Sequence, residues 1–324
     1  MHRPTRVELM LFVVVVLWAL NLTVTRYLLT HGFHPLAYAT LRYTAAALIF
    51  IALTLILEHT LRINRRAGGV VALAIVMLVL NQLGFVYALD RTTASTVGLV
   101  LGATPIFAAL MGLALGRERL SRRFWIAATI SFAGVALVAV GAAGEVSGDL
   151  VGILLAVVTA ATWAAYSVLI APLMATYSPY RVSALVLAST AIVLAVIGSR
   201  QTATQSLDLG TTDWLLFAFA TLGPLVLTNV LWFRSLYRIG PARATLAANL
   251  QPFVAVIFAV ILLSETMTAL QVVGGVLIAG GILLARRRRA PPVTAPRVDP
   301  SARRTRGGSD SPRLASTRSR SPSE

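Results

Sequence analysis

The residues able to do chemistry in this chain are few. Most are uncharged amides, hydroxyls and indoles set inside long apolar stretches. Asn21 and Thr25 stand four residues apart, on one face of a helix, with Trp18 three residues before Asn21. Asn81 and Gln82 are adjacent, and Thr228 and Asn229 hold the equivalent positions later in the chain, followed by Trp232. Asn249 and Gln251 come just before Pro252, and Trp163 and Tyr166 share a further stretch. Such groups are costly inside a bilayer unless they pair or face water. Their chemistry is recognition: amides can bind the polar groups of a zwitterionic or neutral metabolite, while indole and phenol rings cover its apolar part. Two plainer alternatives stay open. Asn, Gln and Thr also join helices by hydrogen bonds, and tryptophan also anchors at the lipid interface.

Bond-making chemistry finds little to work with. His2, His31, His34 and His59 fall in no H-E-x-x-H pattern and have no acidic cluster beside them, and His31 with His34 reads as a solvated loop pair. No G-x-x-x-x-G-K-[ST] motif is present, so ATP-driven pumping has no local site. The absence of cysteine excludes disulfides, thiolate metal sites and a cysteine nucleophile. No catalytic residue, cofactor or metal ligand is expected, and the chain is not expected to be an enzyme. No Asp or Glu lies near the middle of an apolar stretch, which argues against a carboxylate proton relay and against a cationic substrate. Arg42 lies about seven residues into the second stretch, roughly 10 Å along a helix. Left unpaired it would cost a few kcal/mol, so snorkelling or a structural partner is the favoured reading over substrate contact. Arg26 and Arg234 read similarly, and Glu8 sits at a helix start, where its charge is favourable.

These residues must be held by membrane-spanning helices. Of 324 residues, 57% are hydrophobic and only 12% charged, and the mean hydropathy is +0.80. At about 20 residues per crossing, ten spans fit: 8–29, 35–57, 69–89, 92–115, 123–143, 150–172, 180–199, 212–236, 241–263 and 269–286. Pro35, Pro179 and Pro241 stand where helices begin, a position that tolerates a missing N–H. Pro105 and Pro252 lie inside spans and free the carbonyls of Leu101 and Ala248, so each is expected to be a kink that also works as a hinge. Pro224 interrupts span 8. The first apolar run is too long for a signal peptide, lacks a small-residue cleavage site and is expected to be retained. Residues 290–324 are rich in Pro, Ser, Thr and Arg and are expected to be disordered.

The chain repeats itself. Ser95–Glu118 and Ala242–Glu265 are two versions of one stretch, pairing Pro105 with Pro252 and Glu118 with Glu265, and Gly134 with Gly281 keeps the same register. The units are a first five-helix repeat at 8–143 and a second at 150–286, between a cytoplasmic N-terminus at 1–7 and a basic cytoplasmic tail at 287–324. The net charge of +16, carried entirely by arginine on the basic side, sits in short loops and the tail, which points to membrane orientation and not to nucleic acid. With both termini in the cytoplasm, the arginines around 62–66, 117–123, 181 and 238–243 lie inside, and only Arg91 and Arg200 outside. An odd number of spans per repeat then makes the two units inverted, the architecture of secondary transporters. Glu118 and Glu265 would end their helices on opposite faces. A carboxylate there opposes the helix dipole, so each is expected to have a compensating partner and a structural or gate-closing role.

In its residues the chain resembles the EamA-like members of the drug/metabolite transporter superfamily. The likeness rests on Trp18-Ala19-Leu20-Asn21, Pro35 with Arg42, and the long fourth span with Pro105 and Glu118. Its second-half counterparts are Trp163-Ala164-Ala165-Tyr166, Pro179, and Pro252 with Glu265. It covers residues 8–286. Ala19 stands where the family often has glycine, and the position matching Arg42 falls near Val186. The resemblance implies export or exchange of small metabolites such as amino acids across the inner membrane. It also implies a central cavity lined by spans 1, 3, 4, 6, 8 and 9, where the amides and rings named above would bind substrate. The expected partners are a metabolite and the lipid bilayer, with a homodimer allowed. A polytopic enzyme acting on a lipid-linked substrate, and a channel or receptor, are the alternatives; the former would need convergent acid, base or metal groups.

Overall fold

The structure is a computed structural model and describes residues 6–116, 120–142, 149–239, 248 and 250–286. Every regular element among them is helical: α1 (Arg6–Thr30), α2 (Pro35–Glu58), α3 (Gly68–Arg91), α4 (Ala94–Leu101), α5 (Thr104–Ala114), α6 (Arg122–Ala142), α7 (Leu150–Ile170), α8 (Pro179–Ile197), α9 (Ser199–Thr204), α10 (Thr211–Thr221), α11 (Thr228–Ile239), α12 (Gln251–Leu263) and α13 (Ala269–Arg286). Among the described residues eight stretches are long and apolar enough to cross a membrane, and Gln251–Leu263 and Ala269–Ala285 are shorter apolar helices. The bundle has the burial pattern of a membrane protein. Ile56, Ile192, Val196, Ile261 and Val276 face outward, whereas Asn21, Thr25, Arg42, Asn81 and Thr228 are buried.

Local chemistry sets the helix starts. Pro35 and Pro179 occupy the first turns of α2 and α8. The side chains of Ser178, Thr93 and Asp149 accept the backbone N–H groups of Arg181, Thr96 and Val151. The fourth span is one apolar stretch broken in two: α4 stops at Leu101, and α5 begins at Thr104 with Pro105 in its first turn. Span 8 stays continuous through a π-helical turn, Leu222–Leu227, around Pro224.

Helices of the two halves pack on one another: α2 on α8, α3 on α7, α6 on α13, α4 on α12, and α1 on α11 and α12. The α6–α13 seam shows the relation between halves. Ser131 Oγ donates to the Ile278 carbonyl, across a separation of 147 residues. A Cβ on Gly134 would stand 2.6 Å from the Gly274 carbonyl oxygen, and one on Gly281 would stand 2.6 Å from that of Ala127. Both glycines are therefore required for this close approach. The two contacts are the same contact with the halves exchanged, the signature of a two-fold relation. As the residue number rises from 127 through 131 to 134 on α6, it falls from 281 through 278 to 274 on α13, so these corresponding helices run antiparallel.

Each end of the bundle is tied across the halves. At one end Gln205 Oε1 accepts the His34 N–H (2.7 Å), Gln201 Oε1 accepts the Leu36 N–H (2.8 Å), and Arg91 pairs with Asp149 (2.6 Å). At the other, Arg181 pairs with Glu58 (2.7 Å) and donates to the Arg62 carbonyl (3.3 Å), while Ser178 Oγ also bonds Glu58. The segments around Arg62 and Arg181 thus share one end, as the arginine distribution requires.

Candidate functional site

The tryptophans expected from separate stretches meet. The Trp18 ring of α1 lies 6.1 Å from that of Trp163 on α7, edge to face at 84°, and 5.2 Å from that of Trp232 on α11. Tyr166, one turn from Trp163, lies 5.5 Å from it. Spacings of this size are favourable for aromatic pairs, each contributing about 0.5–1.5 kcal/mol. Trp18 Nε1 donates to Thr228 Oγ1 (2.9 Å), and Thr228 in turn donates to the Pro224 carbonyl at the π-helical turn. Proline cannot continue the normal helical ladder, and the hydroxyl of Thr228 uses the local irregularity to fix the indole of the other half. All three rings are half-buried in a shared group, which is not the arrangement of separate lipid-interface anchors.

A second group continues along the same face of α1. Thr25, one turn beyond Asn21, shares a hydrogen bond with Tyr38 Oη (2.9 Å), and Arg42 Nη1 donates to that same hydroxyl (3.1 Å). The Tyr38 ring is held edge-on to Phe33 and Phe217 at 5.8 and 5.9 Å, so its hydroxyl has little freedom. Arg42 does not snorkel. It is 4% exposed, its guanidinium lies 5.4 Å from the Tyr38 ring centre, and Nε has no partner among the described residues. Asn21 Oδ1 and Gln82 Oε1 are buried and equally without a partner there. Tyr38 and Tyr43 were not among the candidate residues, although Tyr38 and Arg42 at i, i+4 spacing on one buried face were a readable signal.

Other candidates act mainly within the scaffold. Asn81 Nδ2 donates to the Thr159 carbonyl (2.9 Å) and its Oδ1 accepts from Gln82 Nε2 (2.9 Å), so Asn81 joins α3 to α7. Asn229 donates to the Leu225 carbonyl of its own helix. Gln251 is half-buried in the first turn of α12, beside buried Pro252. The carbonyl of Leu101 freed by Pro105 is taken by Thr104 Oγ1 (2.6 Å), so it is satisfied locally and not held open. Glu265 has the expected compensating partner: its two oxygens accept the N–H groups of Ala94 and Ser95 at 2.8 Å each, capping α4 of the other half. Arg26 donates to the Leu89 and Asp90 carbonyls at the end of α3 (2.6 and 2.7 Å), and Arg234 reaches Tyr180 Oη at 3.4 Å. His31 and His34 are exposed. Asn249 and Glu118 lie outside the described residues, as do residues 1–5 and the tail 287–324. Among the described residues no cluster of His, Asp or Glu could hold a metal. Gln201, Gln205 and Gln271, which tie the halves together, carried no sequence signal because nothing in their spacing marks them.

The profile of the EamA-like transporter family matches this chain twice, over residues 5–140 and again over residues 150–287. No match to a curated protein was found. A solved structure described only as a crystal structure of a protein superposes with a TM-score of 0.61 at 23% identity, covering 87% of this chain and 99% of its own, a likeness of fold.

Proposed function

Because the chain belongs to the EamA-like transporter family, we propose that this multi-pass membrane transporter is a secondary carrier that works by alternating access. Small polar metabolites such as amino acids are its cargo, and export or exchange across the cytoplasmic membrane is its task. The observation that carries this reading is the α6–α13 seam: equivalent helices of the two halves meet antiparallel about a two-fold relation, as inverted repeats must. Two units of opposite sense can exchange conformations and so turn the opening from one side of the bilayer to the other. Ten spans, an even number, keep both termini in the cytoplasm.

The binding site lies where the halves meet. Trp18, Trp163, Trp232 and Tyr166 cover the apolar part of the solute, while Asn21, Thr25, Gln82, Asn229 and Gln251 line its polar surroundings. Asn81, Thr228, Pro105, Pro252 and Glu265 shape and steady that site, while the sequence-based candidates Asn249 and Glu118 lie outside the described residues. Flux into proteoliposomes tests the reading. Saturable uptake accelerated by solute trapped inside is the expected result; non-saturating flux, or product formation without flux, would overturn it. Asn21→Ala or Asn229→Ala should weaken apparent affinity while membrane insertion is kept.

A further inference from the structure

Arg42 is the only charged side chain that is fully buried among the described residues, and it has no anion. Of the described carboxylates, Glu58 holds Arg181, Asp149 holds Arg91, Glu265 caps α4, Asp213 accepts the Gly210 N–H, and Glu8, Asp90 and Asp208 are exposed. None of them is within ion-pair distance of Arg42. A guanidinium has five N–H donors, yet this one gives a single hydrogen bond, to the neutral Tyr38 hydroxyl. A cation at that depth costs about 2.5–3.5 kcal/mol on insertion scales. The matching position of the second half falls near Val186, which is completely buried, so the repeat itself does not call for a charge there. Arg42 is also well placed to meet a solute. Tyr38 and Thr25 join it to the face of α1 that carries Asn21 and Trp18, and seven residues, roughly 10 Å along the helix, separate Thr25 from Trp18.

We infer that Arg42 is the anion-binding residue of the site and that the transported solute presents a carboxylate to it. The inference rests on the transport reading above and names the charge class of the cargo. A planar carboxylate accepts two parallel hydrogen bonds from a guanidinium and supplies the missing negative charge. A single buried cation matches a single negative charge, and a doubly charged phosphate would call for a second cation. The carboxylate would sit at the Arg42–Tyr38 end, with the apolar part reaching toward Trp18, Trp163 and Trp232.

The test is uptake by the full chain in proteoliposomes of the twenty common amino acids, each competed against its C-terminal amide. Hydrogen bonds to a charged group contribute about 1.5–3 kcal/mol, so the acid of a transported pair should compete on the order of 10- to 100-fold better than the amide. In Arg42→Gln that ratio should fall to about one, and in Arg42→Lys it should largely persist. A purely structural arginine would lower uptake of acid and amide together and leave the ratio unmoved, which overturns the inference. Equal competition by acid and amide in the unaltered protein overturns it as well, without any variant having to fold, and leaves the carrier reading intact. Failure of every acid and amide to be taken up overturns both.

Discussion

Helices α2 and α8 are the same element built twice, and they pack against each other. Both open on a proline in the first turn, and both are tied at that end by polar side chains across the interface. Gln201 and Gln205, which follow α8, accept N–H groups at the start of α2; Glu58, which ends α2, receives Ser178 and Arg181 at the start of α8. Two turns in from the proline, the two part company. Position 42 is a buried arginine and position 186 a buried valine. The scaffold is served equally well by either helix, so the guanidinium answers a demand that packing does not make. Symmetry in this molecule belongs to the fold, and the departure from symmetry marks the site.

The largest effect expected from this contrast comes from moving the charge. Val186→Arg should leave little folded protein, because a second buried cation would have neither a tyrosine hydroxyl nor a solute to meet; the cost is about 3 kcal/mol or more. Yield of monodisperse protein after solubilisation measures it, and a normal yield would show that α8 too has room for a charge. The reverse change, Arg42→Met, should keep or raise the melting temperature while uptake of carboxylates falls by at least about tenfold, since replacing an unpaired buried charge by an apolar group of similar volume is often neutral or stabilising.

Between the halves, Glu265→Gln removes the charge that caps α4. That should cost about 1 kcal/mol and lower the melting temperature by about 2–4 °C. Trp18→Phe keeps an aromatic ring but deletes the bond to Thr228, for a loss of about 1 kcal/mol or less and a measurable weakening of solute affinity. The smallest effect belongs to the exposed pair at the surface. The hydrogen bond from Arg91, and then the Val151 N–H, hold the Asp149 carboxyl below the usual carboxylate range. A lowered folded-state value means a contribution that is present above the ordinary carboxylate pKa and is lost as pH falls through the lowered one. Arg91→Ala should therefore lower stability slightly at neutral pH, leave it unchanged below the carboxylate range, and so flatten the acid limb of the stability curve.

Much of this was readable beforehand for a simple reason. Apolar length, proline at helix starts and the repeated register act locally or by direct comparison of one stretch with another, and they yielded the helical class and the two matching halves. The expected compensation of Glu265 was sound in kind, but its partner, the start of α4, is 170 residues away and no spacing rule connects them. Pro105 was legible as a break; that Thr104 would close off the freed carbonyl was not, because it depends on a rotamer. Asn81 took the bland role of joining α3 to α7, while Trp18, Trp163 and Trp232 gathered into one group.

By itself, then, the chain determined that its helices lie in a membrane and that its two halves are versions of one unit, since hydropathy and repetition are properties of order along the chain. Only the tertiary structure decided which polar groups would find partners. Whether Asn81 is satisfied and Arg42 left without an anion depends on which helices face each other. That is set by contacts between residues far apart in sequence, such as Gly134 against Gly274, and a buried charge acquires its meaning from those neighbours.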